Sequence, residues 1–124
     1  MCVICRNEIK TDIKTLDCSG CQEIKEIPII NGLQILGCSR CPLLKTIPII
    51  NGLRELYCGG CESLTNIPII NGLKILNCYY CLLLTSIPLI TDLERLVCDH
   101  CPLLYVPFVF NKLLHLHEKS KIIG

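Results

Sequence analysis

The sequence predicts a repeat solenoid of short parallel β-strands with few or no α-helices, and three observations predict it. The same residue types return in the same order every 20 residues, through five consecutive copies. Within each copy, apolar residues alternate with variable ones over a short stretch, as they do on one face of a strand. A proline then recurs in the second half of four copies, where its fixed φ and missing N–H exclude a helix interior.

Written in rows of 20 from Ile13, the chain stacks into columns. Column one holds Ile13, Leu33, Leu53, Leu73, Leu93 and Leu113, and column four holds Leu16, Leu36, Leu56, Leu76, Leu96 and Leu116. Cysteine fills column six (Cys18, Cys38, Cys58, Cys78, Cys98) and column nine (Cys21, Cys41, Cys61, Cys81, Cys101). Column twelve is Ile24, Leu44, Leu64, Leu84 and Leu104, and an Ile-Pro pair follows from Ile27-Pro28 to Ile87-Pro88. Ile30, Ile50, Ile70, Ile90 and Phe110 come next, before a turn pair: Asn31-Gly32, Asn51-Gly52, Asn71-Gly72 and Thr91-Asp92.

The unit LxxLxCxxCxxLxxIPxIxx resembles the leucine-rich repeat, whose general pattern is LxxLxLxxN/CxL. The resemblance covers residues 13–116 and is most similar to the short-repeat proteins of bacterial effectors and of giant viruses that infect amoebae. It implies a curved, right-handed rod with its strands on the concave side and a role in recognising another macromolecule. In the effectors a separate ubiquitin-ligase domain supplies a catalytic cysteine; nothing here matches it, so that activity does not carry over. Column nine has the Cys of this pattern in place of the Asn that bonds neighbouring backbone. A thiol is a weaker donor, so packing is expected to hold this ladder.

Each element of the turn follows from the columns. Columns four and six make the inward face of a strand, and a turn bends the chain away after column eight. The return leg through the Ile-Pro pair is expected to be extended or polyproline-like, with at most a 3₁₀ turn. One turn cannot bury its apolar face alone, so stability must come from stacking, cooperatively along the rod. The chain divides into an N-terminal flank (1–12), five repeats (13–112) and a C-terminal capping strand and tail (113–124). In that last row Glu118 and Lys121 replace the two cysteines, as suits a polar end rung blunting an open sheet edge.

The twelve cysteines admit several readings. As small buried hydrophobes, the ten in-register ones belong to the core. The spacing C-x2-C-x12-C-x2-C at Cys2, Cys5, Cys18 and Cys21 is close to a four-thiolate zinc pattern, the alternative reading. The repeat already accounts for Cys18 and Cys21, and a short N-terminal cap accounts for the out-of-register Cys2 and Cys5. Disulfides between rungs are opposed by parallel Cβ vectors and by the absence of a secretion signal, which points to a reducing, cytoplasmic setting. A thioredoxin-like role lacks its βαβ context.

Composition bounds the partners. A hydrophobic fraction of 51% and a charged fraction of 19% describe a chain that buries itself. The formal charge of +1 offers no pull toward nucleic acid or an anionic membrane. No apolar run reaches the ~20 residues that cross a bilayer, and the first residues contain no signal-peptide core. No cofactor is expected.

The columns that vary are two, three, five, seven and eight, and these should form the outward face of the sheet. Three of the four tyrosines fall there, Tyr57, Tyr79 and Tyr80, with Arg40, Arg54, Arg95, Asp99 and His100 around them. Tyrosine and arginine most often anchor interfaces, and Ile35, Ile75 and Val97 add apolar surface. The expected function is a monomeric, non-catalytic protein-interaction module, its partner a host protein if the viral resemblance holds. A solvated sheet without a dedicated ligand, a purely structural repeat, is the bland alternative. His115 and His117 fall on the last strand, and His100 beside Cys101 lacks the cleft that a Cys/His hydrolase needs.

Overall fold

The computed structural model describes residues 2–9, 12–114 and 122–123, the last two by backbone alone. Five three-residue strands, β1 (Thr15–Asp17), β2 (Ile35–Gly37), β3 (Glu55–Tyr57), β4 (Ile75–Asn77) and β5 (Arg95–Val97), form one parallel sheet in chain order. Their register is the repeat itself: Leu16, Leu36, Leu56, Leu76 and Leu96 lie side by side. In each strand the middle leucine points inward and its two neighbours face outward, the alternation the columns require.

The backbone ladder runs well past the three strand residues. Column two receives and gives bonds between rungs, as in Gln34 N to Lys14 O at 2.8 Å. Column six donates to column five of the next rung, as in Cys38 N to Tyr57 O at 2.8 Å, and column eight donates to column seven. The return legs lack such bonds over most of their length and carry no helix from the column-twelve residue to the next turn in rungs one to four, as the prolines demand.

The core is one continuous stack. Leu36, Cys38, Cys41, Leu44, Leu53, Leu56, Cys58, Cys61 and Leu64 are fully buried, while their rung-one counterparts Leu16, Cys18, Cys21 and Ile24 keep a few per cent exposure. Position in the stack sets that difference, because a middle rung is covered on both sides.

The ends are built differently. Residues 2–8 close a tight turn, with bonds from Arg6 N to Cys2 O at 3.1 Å and Glu8 N to Val3 O at 3.0 Å. That turn packs Cys2, Val3, Ile4 and Cys5 onto the first rung. At the other end a 3₁₀ helix, Phe108–Leu113, replaces the regular turn and buries Phe110. A two-residue strand β6 (Val106–Pro107) pairs with β7 (Ile122–Ile123), so the tail joins the return leg of rung five. Among the described residues the main sheet ends at β5, and the buried leucine beyond the 3₁₀ helix is Leu114, one place after column one. Leu116, Glu118, Lys121, His115 and His117 lie outside the described residues.

Candidate functional site

The cysteine columns form a hydrogen-bonded ladder as well as a packed one. Each column-nine thiol donates to the column-six carbonyl of the rung before it: Cys41 to Cys18 at 3.3 Å, Cys61 to Cys38 at 3.0 Å, Cys81 to Cys58 at 3.2 Å and Cys101 to Cys78 at 3.0 Å. To the packing expected of this column the structure thus adds a bond from each of these thiols. A weak donor suffices because the carbonyl it meets is buried, where leaving a lone pair unpaired is costly. The column-six thiols Cys38, Cys58 and Cys78 are held far above the ordinary thiol range, first by the column-nine thiol beside each and then by burial. They stay neutral.

The outward residues divide into two groups. Arg54, Tyr57 and Arg95 belong to the sheet face, where the Tyr57 hydroxyl donates to Glu55 Oε1 at 2.6 Å. That bond, with partial burial, raises the Tyr57 phenol above its usual range. Ile35, Ile75 and Val97 on this face are half-buried. Arg40, Tyr79, Tyr80, Asp99 and His100, expected on the strands, stand instead in the turns just past the strand ends.

Column eight explains why. Gly20, Arg40, Gly60, Tyr80 and His100 all adopt the left-handed backbone conformation, at φ of 80°, 55°, 73°, 55° and 59°. Glycine takes that conformation without strain, whereas other L-residues pay about 1–2 kcal/mol for it. Rungs two, four and five therefore hold large side chains where glycine is the easy choice.

Those side chains meet across the rungs. The Tyr79 and Tyr80 rings pack edge to face at 5.6 Å, and Tyr80 stacks on His100 at 4.5 Å. Rung three supplies a bed: a Cβ on Gly59 would overlap the Tyr79 ring, and one on Gly60 would come within 2.9 Å of Arg40 Cγ. The result is a shallow depression of about 300 Å³ lined by Arg40, Gly60, Glu62, Tyr79, Tyr80 and Leu82. The structure thus joins Arg40, Tyr79, Tyr80 and His100 along one edge, with Asp99 beside them, and leaves Arg54, Tyr57 and Arg95 on the sheet.

A second surface escaped the sequence reading. The residue after each column-sixteen position is apolar in every rung: Ile29, Ile49, Ile69, Leu89 and Val109. All five are more than half exposed, the first four on the return legs and Val109 in the 3₁₀ helix that follows the last one. Their apolar identity was the available signal, but the same residue types fill the buried columns beside them, so composition alone does not mark them as exposed.

At the N-terminal end, Cys2, Cys5 and Cys21 converge, with Cys5 Sγ 3.5 Å from Cys21 Sγ and 3.8 Å from Cys2 Sγ. The three sulfurs all lie within 4.8 Å of one another. Cys18, the fourth member of the spacing pattern, is outside this group and turned toward Cys41 in the ladder. Burial pushes the Cys5 thiol up to about 12, helped by its bonds to Cys21 and Cys2. Burial also disfavours ionisation of Cys21, but backbone amides of Glu23 and Cys2 and the neighbouring thiols outweigh it and bring Cys21 down to about 6.

Compared with protein-family models, curated proteins and solved structures, the chain matches none. Among the described residues no helix is long and apolar enough to cross a membrane.

Proposed function

We propose that this solenoid is a non-catalytic protein-recognition module of the leucine-rich-repeat kind, taking its partner along the turn edge of rungs two to five and the adjoining sheet face. The observation that carries the reading is the coincidence of strain with interface chemistry. Arg40, Tyr80 and His100 hold left-handed backbone, and the same three residues make or border the aromatic stack and the depression. Backbone strain of this kind collects at functional sites because the fold alone gains nothing from it.

The side chains suit the task. Tyr80 is 49% exposed, so its ring offers a large apolar face with a polar tip to a partner. Tyr79, half-buried on Gly59, stiffens it from the side, which lowers the entropy lost on binding. Arg40 and Glu62 give the depression one charge of each sign, favouring a polar peptide or loop over an all-acidic ligand. The repeat pattern supports the family, and the reduced cysteines of this reading suit a cytoplasmic setting, with a host protein as partner if the source is viral.

The test separates binding from folding. Tyr80→Gly and His100→Gly relieve the left-handed backbone and should leave stability within about 1 kcal/mol of the parent. Tyr79→Ala with Tyr80→Ala removes two anchors and should weaken partner capture by tenfold or more, given hot-spot costs of about 2 kcal/mol each. Urea denaturation of the parent chain and these variants reads the first, and quantitative pull-down reads the second. Undiminished capture by the double variant sinks this face as the binding site.

A further inference from the structure

We infer that Cys2, Cys5 and Cys21 form a zinc site that clamps the N-terminal turn onto the first rung, with the fourth position taken by a donor from outside this trio. The argument begins with the ladder. Every later column-nine thiol donates to a carbonyl of the preceding rung, but Cys21 belongs to the first rung and has no such rung before it. The turn at residues 2–8 occupies that place instead, and it brings two thiols where a rung would bring a carbonyl.

The geometry fits a metal better than it fits packing. A tetrahedral zinc with Zn–S bonds of ~2.3 Å sets its sulfurs about 3.8 Å apart. The sulfur separations here are 3.5 Å and 3.8 Å, with the third edge inside 4.8 Å, so the trio already marks three corners. Cys2 and Cys5 stand three residues apart on one tight turn, which projects both toward the same point. Cys21 is buried and Cys2 and Cys5 are partly buried, so the three sulfurs face one another at the junction of the turn and the first rung. Thiolates are soft donors that select zinc or copper(I) over magnesium or calcium, and separations near the tetrahedral edge favour zinc.

The site differs from the one that spacing alone suggests. Cys18 satisfies the C-x2-C-x12-C-x2-C pattern, yet its place in column six commits it to Cys41. A three-thiolate site leaves the fourth position to water or an added thiol.

The test uses the full chain, purified under mild reducing conditions without chelator. Elemental analysis should find one zinc per chain. Replacing zinc with cobalt(II) should give the sulfur-to-metal charge-transfer bands and intense visible bands of a tetrahedral thiolate site. The Cys2→Ser/Cys5→Ser variant should lose both the zinc and the charge-transfer bands, while Cys18→Ser should keep them if it folds. No zinc in the parent and no charge transfer on cobalt titration would overturn the site, and that titration needs no variant to fold. Stoichiometric copper, a disulfide within the trio in the reduced preparation, or full zinc retention by the double variant would overturn it equally. None of these outcomes bears on partner capture at rungs two to five, so the two readings stand or fall separately.

Discussion

Cys61 and Cys21 occupy the same column in two repeats, yet their surroundings differ completely. Cys61 sits mid-stack, fully buried, its thiol 3.0 Å from the Cys38 carbonyl. Cys21 sits at the end, facing Cys5 and Cys2. The lesson is that in a stacked fold a residue's chemistry is set by the rung next to it, and an end rung has a different neighbour. A conserved-looking column can therefore change from structural to reactive at its terminus without any change of residue.

The comparison can be broken most forcefully through the leucines. Leu56→Ala, between two rungs, should cost about 2–5 kcal/mol, read as a lower urea midpoint. Leu16→Ala, covered by one rung and the N-terminal turn, should fall at or below the bottom of that range. Equal losses at the two positions would show that the end is packed as tightly as the middle.

The cysteines sharpen it further. Cys61→Val keeps the volume but removes the donor, orphaning the buried Cys38 carbonyl at a cost of about 1–3 kcal/mol. Cys21→Val orphans no carbonyl and should change the stability of metal-free protein by less than about 1 kcal/mol. A larger loss for Cys21→Val than for Cys61→Val, measured by denaturation in chelator, would reverse the assignment of roles.

The smallest effect contrasts column five in two rungs. Asp17 Oδ1 accepts the Ser19 N–H at 3.0 Å, and Asn77 Oδ1 accepts the Tyr79 N–H at 3.3 Å. The Ser19 side chain and amide hold the Asp17 carboxyl below its usual range. With the folded pKa below the unfolded one, the stability from Asp17 is present above the unfolded value and lost as pH falls through the folded one. Asp17→Asn, matching rung four, should slightly flatten the acid limb of a stability-against-pH curve; an unchanged limb would mean that the bond contributes nothing.

Much of this molecule was legible before any coordinates. The columns placed the strand leucines, the ten buried cysteines and a return leg without α-helix. The turn residues were harder: two variable positions between the inward columns six and nine show that the alternation ends there, but not that Arg40, Tyr80 and His100 turn left-handed. The signal was indirect: Gly20 and Gly60 in the same column mark a position that tolerates positive φ. The apolar column of Ile29, Ile49, Ile69, Leu89 and Val109 was visible as letters, but only the fold shows it exposed.

What the sequence determined by itself was period, register and core, because these rest on side-chain alternation and on proline, which act locally on the chain. What only the tertiary structure decided was which groups meet. The Tyr80–His100 stack, the thiol-to-carbonyl ladder and the trio of Cys2, Cys5 and Cys21 join residues 16 to 23 positions apart. Spacing offered Cys18 as readily as Cys21 for that trio. Stacking chose between them, because a side chain in column six points into the core of its own rung while one at the open end of column nine meets whatever closes the stack.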